Sequence, residues 1–219
     1  MLAAVVSAGW AVTRARVAAP SAALFVSLPA PAGRFGQRFG PSISPDGTEV
    51  AFWAPDAQGI TRLWIRSFIE PEARALPGTE GPEESTGARL PAWSPDGRSL
   101  VYFSRGKLQR IDVAGGSPVT LVETGNSPRG VAWGTQGSIL FAPNSGGGLF
   151  TISPNGGTAT QVTLDTIGRA AEWPSFLPDG RHFLTSVAIE QVEPPVWGVF
   201  VASLDASTLV RISTEASRM

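Results

Sequence analysis

Between residues 41 and 186 the chain switches repeatedly between a polar, glycine-bearing turn and a short apolar run. The runs after the turns read Val50-Ala51-Phe52-Trp53, Leu100-Val101-Tyr102-Phe103 and Ile139-Leu140-Phe141. They are apolar at successive positions, so an extended strand made from any of them hides both of its faces. A sheet with one face in water does not satisfy that pattern. An antiparallel meander satisfies it when further sheets stack on each side, which is how the blades of a propeller are arranged radially.

Aligned on their turns, the units open with PSISPDGTEVAFW (Pro41 to Trp53), PAWSPDGRSLVYF (Pro91 to Phe103), VAWGTQGSILFAP (Val131 to Pro143) and PSFLPDGRHFLTS (Pro174 to Ser186). The turn glycines Gly47, Gly97, Gly137 and Gly180 are separated by 50, 40 and 43 residues, close to the period of a four-stranded blade. The first unit is longer because it carries PGTEGPEESTGARL between Leu76 and Pro91, a polar stretch that reads as an enlarged loop between blades.

Each unit continues with two more strand candidates. These are Arg62 to Phe68 and Ala73 to Pro77, Lys107 to Val113 and Pro118 to Glu123, Gly148 to Ser153 and Ala159 to Leu164, and Trp197 to Leu204 and Leu209 to Thr214. The expected fold is therefore all-β, a propeller of four-stranded antiparallel blades with four blades visible. Trp93, Trp133 and Trp173 are evenly spaced but do not form one column. On the turn alignment the column holds Ile43, Trp93, Trp133 and Phe176, and Trp173 falls three places out of register.

The S-P-D-G turn has a local mechanical logic. Proline presets the first corner, aspartate bonds the neighbouring backbone, and glycine takes the left-handed conformation that completes the hairpin. Asp46, Asp96 and Asp179 could be imagined as a carboxylate ring for a cation, but Gln136 stands at the fourth place, and the turn reading is preferred.

The start of the chain differs. Met1 to Val12 is apolar and uncharged, Arg14 and Arg16 follow, and Val17 to Ala23 is rich in Ala, Pro and Ser. About 20 apolar residues are needed to span a bilayer, so the segment fits a truncated membrane helix, a signal-like segment lacking the usual positive start, or a loosely packed tail. Leu24 to Leu28 is a strand candidate closed by Pro29 and Pro31. The organisation expected is an apolar segment and linker over 1–23 and the propeller over 24–219.

Composition narrows the function classes. With 42% hydrophobic and 16% charged residues, the 219-residue chain has enough apolar surface to fold. Net charge is −1, and sixteen arginines with Lys107 are scattered singly, which speaks against nucleic-acid binding. There is no Cys, so neither a thiolate metal site nor a Cys nucleophile exists, and the compartment is left open.

The unit (P/A)-W-SPDG-(R/T)-x-(L/V)-(V/A)-(Y/F)-F resembles the repeats of TolB-type, WD-repeat-like propellers over about Phe35 to Thr214. RLWIRSF, ARALPGTEG, AWSPDGRSLVYFSRGKLQRIDVAGGSPVTL, ILFAP, GLFTISPNGG and WPSFLPDGRHFL together look like the carboxyl-terminal propeller of bacterial membrane-anchored serine/threonine protein kinases. That resemblance implies an extracytoplasmic module, with Met1 to Val12 as the end of the membrane helix. It also implies more than four blades, hence a fragment; four blades could close alone, pair with a second copy, or remain an open arc prone to self-association. Kinase motifs of the VAIK, HRD and DFG type are absent from these residues. A second resemblance is to the gating propellers of prolyl-oligopeptidase-like peptidases, which would need a GxSxG elbow that these residues lack, and a third is to TolB-like periplasmic envelope proteins.

No catalytic, metal or cofactor-binding residue is expected. His182 is the sole histidine and has no partner set for a triad or a zinc site. Ser104-Arg105-Gly106-Lys107 spells SxxK but reads as a hairpin turn. Gly146-Gly147-Gly148 has no helix after it to hold phosphate, and Glu80, Glu83 and Glu84 read as a solvated acidic loop. The expected ligand is an unidentified protein or small molecule bound at the channel or the loop faces.

Overall fold

The structure, a computed structural model, describes residues 40–70, 72–81, 90–165, 171–188 and 197–213. Sixteen strands form four separate sheets, each a four-stranded antiparallel meander in strict chain order. Blade one comprises β1 (Ser42–Ile43), β2 (Glu49–Pro55), β3 (Thr61–Ser67) and β4 (Arg74–Ala75). Blade two comprises β5 (Ala92–Trp93), β6 (Ser99–Ser104), β7 (Lys107–Asp112) and β8 (Val119–Glu123). Blade three comprises β9 (Val131–Trp133), β10 (Ile139–Phe141), β11 (Phe150–Ile152) and β12 (Thr160–Gln161). Blade four comprises β13 (Ala171–Phe176), β14 (His182–Ala188), β15 (Trp197–Ser203) and β16 (Ala206–Ser213).

Every strand anticipated within the described residues is present, with shifted ends. β4 and β12 keep only two paired residues each, and β16 begins three residues before Leu209. Leu24 to Leu28 and the apolar Met1 to Val12 lie outside the described residues. Among the described residues no helix is long and apolar enough to cross a membrane.

The first strands of successive blades stand side by side, β1 beside β5, β5 beside β9 and β9 beside β13. This is the arrangement in which they line a propeller's axis. Alternate residues of each second strand then face the blade before and the blade after. Ala51 and Trp53 meet Leu100 and Tyr102 across the first junction, where Trp53 and Tyr102 pack edge to face with centroids 5.6 Å apart. Val101 and Phe103 meet Ile139 and Phe141 at the second junction, and Leu140 and Ala142 meet Phe183 and Val187 at the third. Almost all of these side chains are less than 4% exposed. The doubly apolar runs of blades two and three are therefore explained by junctions on both faces, while in blade one Val50, Phe52 and Ala54 pack against Trp64, Phe68 and Ala73 of the same blade.

The turn column is borne out by register. Ile43 pairs with Val50, Trp93 with Leu100, Trp133 with Ile139 and Phe176 with Phe183. The Trp93 indole also crosses to blade one, donating to the Ser42 carbonyl at 2.9 Å. Trp173 belongs to a different element: β13 starts at Ala171, earlier than the Pro174 opening of the repeat, and bulges between Glu172 and Ser175. The extra residues explain why even tryptophan spacing was misleading.

One buried group breaks the apolar pattern. Tyr102 takes the place that Phe52 and Phe141 occupy in neighbouring blades, and its hydroxyl has no hydrogen-bond partner. Burial, and then the charge of Glu80, push its ionisation above the ordinary phenol range. An orphaned buried hydroxyl costs stability that its deletion restores. Tyr102→Phe should raise the unfolding free energy by about 1 kcal/mol in urea titration, whereas Trp53→Ala should lower it by about 4 kcal/mol through the cavity left at the junction.

Candidate interaction faces

A strict meander gives the array two ends. The turns joining the first and second strands, and the loops joining the third and fourth, lie at one. The hairpins joining the second and third strands, and the linkers between blades, lie at the other.

At the first end all four turns close with a bond from the glycine N–H to the carbonyl three residues back, 2.9 Å in each blade. The glycines have φ of 72°, 70°, 88° and 67°, the left-handed region that glycine enters without steric cost. In blade one the Ser44 hydroxyl donates to Asp46 Oδ1 at 2.6 Å and accepts from the Glu49 N–H, while Asp46 accepts from the Thr48 N–H. Ser94, Asp96, Arg98 and Ser99 repeat the set in blade two. In blade four Leu177 replaces the serine, and Asp179 accepts instead from the N–H groups of Arg181 and His182 and meets His182 Nδ1 at 2.6 Å. The aspartates are thus engaged by their own turns, and His182 is an exposed partner of one of them.

The departure in blade three has a cause. Its turn is one residue shorter, and Gly134 stands where blades one and two have serine. A Cβ there would lie 3.0 Å from the Phe176 ring of blade four. Gln136, replacing aspartate, donates across the junction to the Asp179 carbonyl at 3.2 Å. The third turn is fitted to the fourth blade rather than to itself.

Two open clefts lie at this end. One, of about 670 Å³, is lined by Arg74, Asp96, Arg98, Ser99, Asp112 and Val113 between blades one and two. The other, of about 390 Å³, lies between blades three and four and includes Ser138, Thr151, Gln161, Asp205 and Ser207. Arg74 donates to the Val113 carbonyl at 2.6 Å across the first cleft, and the Ser94 hydroxyl followed by the Arg98 N–H hold Asp96 below the usual carboxylate range. Both clefts are polar-rimmed gaps between packed blades.

The second end carries ion pairs that join blades to linkers. Arg62 on β3 pairs with Asp56 at 2.9 Å and with Glu80 of the first linker. Glu83 and Glu84 lie outside the described residues. The Ser104–Lys107 hairpin turns through Arg105 and Gly106, φ 49° and 73°, the type I′ geometry expected of two residues joining strands. Gly146 and Gly148 likewise sit at positive φ in the β10–β11 loop.

Across blades three and four, the Glu172 carboxylate is 3% exposed, lies 3.5 Å from Arg129 Nε, and accepts from the Ser145 hydroxyl at 2.9 Å. Its neighbour Trp173 has φ 58°, is 37% exposed, and donates its backbone N–H to the Arg129 carbonyl. A bulky residue in the left-handed region is strained, and such strain persists where the surroundings over-determine it. Its only mark in the sequence is that Trp173 falls out of the repeat register, because bulge and strain arise only from the register of β13 against β14. Among the described residues no group of three or more His, Cys, Asp or Glu is placed to hold a metal.

Four-stranded meanders stacked through their faces, with first strands side by side, make this an all-β protein with a propeller fold similar to that of solved TolB structures. The structure of TolB from Acinetobacter baumannii superposes with a TM-score of 0.63 at 13% identity, over 80% of this chain and 43% of that one. For the putative TolB from Agrobacterium tumefaciens the TM-score is 0.64 at 16% identity, over 81% and 66%. An uncharacterised protein of Agrobacterium fabrum is 25% identical over 133 residues, 56% of this chain and 42% of that protein. The chain therefore spans less than half the length of that relative and of the Acinetobacter protein. No protein-family profile matches the chain.

Two measurements check the geometry. Folded-state values for Asp46, Asp96 and Asp179 lie below the ordinary carboxylate value, Asp179 at about 2 through the N–H of Arg181 and then the His182 imidazole. The unfolded state therefore binds more protons, and the stability these turns contribute is full above about pH 4 and lost as pH falls towards 2. The difference in urea midpoint between the native protein and Asp179→Asn should shrink across that window. At position 173, the Gly variant should be more stable than the Ala variant by about 1 kcal/mol, because only glycine escapes the left-handed penalty.

Proposed function

We propose that this chain is a non-catalytic binding module of the TolB-like propeller class, acting as the extracytoplasmic sensor or scaffold of a membrane-anchored bacterial serine/threonine kinase. The observation that carries the binding role is Trp173. The blades are filled by packing side chains, and the part-exposed Trp173 is held in a strained bulge next to Glu172 of the Arg129–Glu172–Ser145 cluster, at the end where hairpins and linkers gather. A part-exposed aromatic on a rigid strand is a common anchor for a partner. The partner is a protein or a small molecule; the scattered single charges favour no nucleic acid.

The kinase attachment is supported by the likeness of the RLWIRSF to WPSFLPDGRHFL segments and by the apolar Met1 to Val12. The likeness to TolB supports a second reading, a free-standing envelope protein with the same binding end. The two differ in what precedes Met1: a coding frame upstream that carries VAIK, HRD and DFG motifs is expected under the first, and an upstream frame without them overturns it. Location is read by fusing alkaline phosphatase to the carboxyl end, since that enzyme needs disulfides formed outside the cytoplasm. An active fusion is expected, and an inactive but abundant one overturns the extracytoplasmic assignment.

The binding end is tested by placing a photo-crosslinking residue at Arg105 or Trp173, and at Thr48 or Arg98 of the opposite end, in cells making the protein. Adducts are expected from the first pair, and adducts confined to the second pair refute the assignment.

A further inference from the structure

The peptide unit between Glu172 and Trp173 is held at both of its ends, from two different blades. Its carbonyl accepts from the buried Thr185 hydroxyl of β14 at 2.8 Å. Its N–H donates to the carbonyl of Arg129, in the segment that leads into β9, at 2.7 Å. That segment is itself fixed, because the Arg129 N–H donates to the Ala142 carbonyl at 2.9 Å and the Ala142 N–H donates back to the Gly130 carbonyl at 3.0 Å. The Glu172 side chain adds a further hold, accepting from the Ser145 hydroxyl at 2.9 Å with Arg129 Nε at 3.5 Å.

What these holds maintain is a conformation that the chain on its own disfavours. Trp173 has φ 58° and is followed by Pro174, and a residue in front of proline prefers the extended region at negative φ. Reaching that region turns either the clamped peptide, which breaks the bond to Arg129 or to Thr185, or the Pro174 side. Pro174 already lies against the blade-three backbone: a Cβ at Gly130 would stand 3.2 Å from Pro174 Cδ and 3.1 Å from Trp173 Cα. The bulge of β13 therefore has two arrangements, a clamped one that carries the strain and a released one that does not, and the cross-blade bonds decide between them.

We propose that Thr185, Glu172 and Arg129 form a conformational latch, which presents the Trp173 indole in one orientation while blades three and four are docked and re-aims it when the clamp opens. Thr185 and Glu172 are positioning residues, since they act on the indole through the backbone. The latch stands on the geometry alone, and its consequence for recognition rests on the reading of Trp173 as a binding anchor. A partner that grips the clamped indole binds one of the two arrangements, so its differential affinity tightens the junction between blades three and four.

The test is amide hydrogen exchange at residue 173 in the full chain, with the fluorine spectrum of 5-fluorotryptophan-labelled protein, in which the Trp173 line is the one lost in Trp173→Phe. Thr185→Val removes the hydroxyl and keeps the shape, and Glu172→Gln removes the charge and keeps an acceptor for Ser145. Each is expected to speed exchange at Trp173 about tenfold and to add a second Trp173 line, with the amides of Phe183 and Ala202 unchanged. In a Trp173→Gly background, where no strain waits to be released, Thr185→Val is expected to speed exchange by a smaller factor. An arm without buried substitutions compares Trp173→Gly with Trp173→Ala, and protection at residue 173 is expected to be higher for glycine. Equal factors in the two backgrounds, a single line with native exchange in the folded Thr185→Val and Glu172→Gln proteins, or equal protection for glycine and alanine overturns the latch. Absence of crosslinks at Trp173 with these results standing sinks the anchor and leaves the latch.

Discussion

Most of the core of this protein lies between its blades rather than within them. The second strands are apolar on both faces, so the hydrophobic core is the set of junctions between sheets, and each sheet is ordered by what its neighbours cover. Trp53 against Tyr102, Phe103 against Phe141 and Leu140 against Phe183 are the same device used three times. The turn chemistry, the side-by-side first strands and the polar ends all follow from keeping sheets at stacking distance.

That dependence decides what the sequence could reveal. Strand faces, turn residues and the repeat column depend on local spacing and on burial, and both leave a mark in the order of residues. The pairing of Ile43, Trp93, Trp133 and Phe176 with the following strands was legible for that reason. The β13 bulge was not, because an extra residue in a strand becomes visible only against its partner. Glu172 and Arg129 lie in different blades, and nothing local to either names the other. The same holds for Gln136, which looked like a lost aspartate and is a donor to the next turn.

The two ends of the array have different characters. At the turn end, hydrogen bonds stay mostly within a hairpin, with carboxylates engaged by their own backbone. At the linker end, ion pairs cross from strand to linker and from blade to blade, and the strained Trp173 stands beside one of them. A surface whose parts come from several segments holds its shape only when the blades are in place, so recognition there would report on the assembly of the whole array.

The short third turn has a consequence for how such an array can change. Gly134 leaves room for the Phe176 ring, and Gln136 reaches the Asp179 carbonyl, so part of the third unit is written for the fourth. The repeats look alike but each carries an address. Shuffling, deleting or duplicating a unit would set a serine against an aromatic ring or strand an amide without its carbonyl, so the order of the blades is inherited together with their sequences.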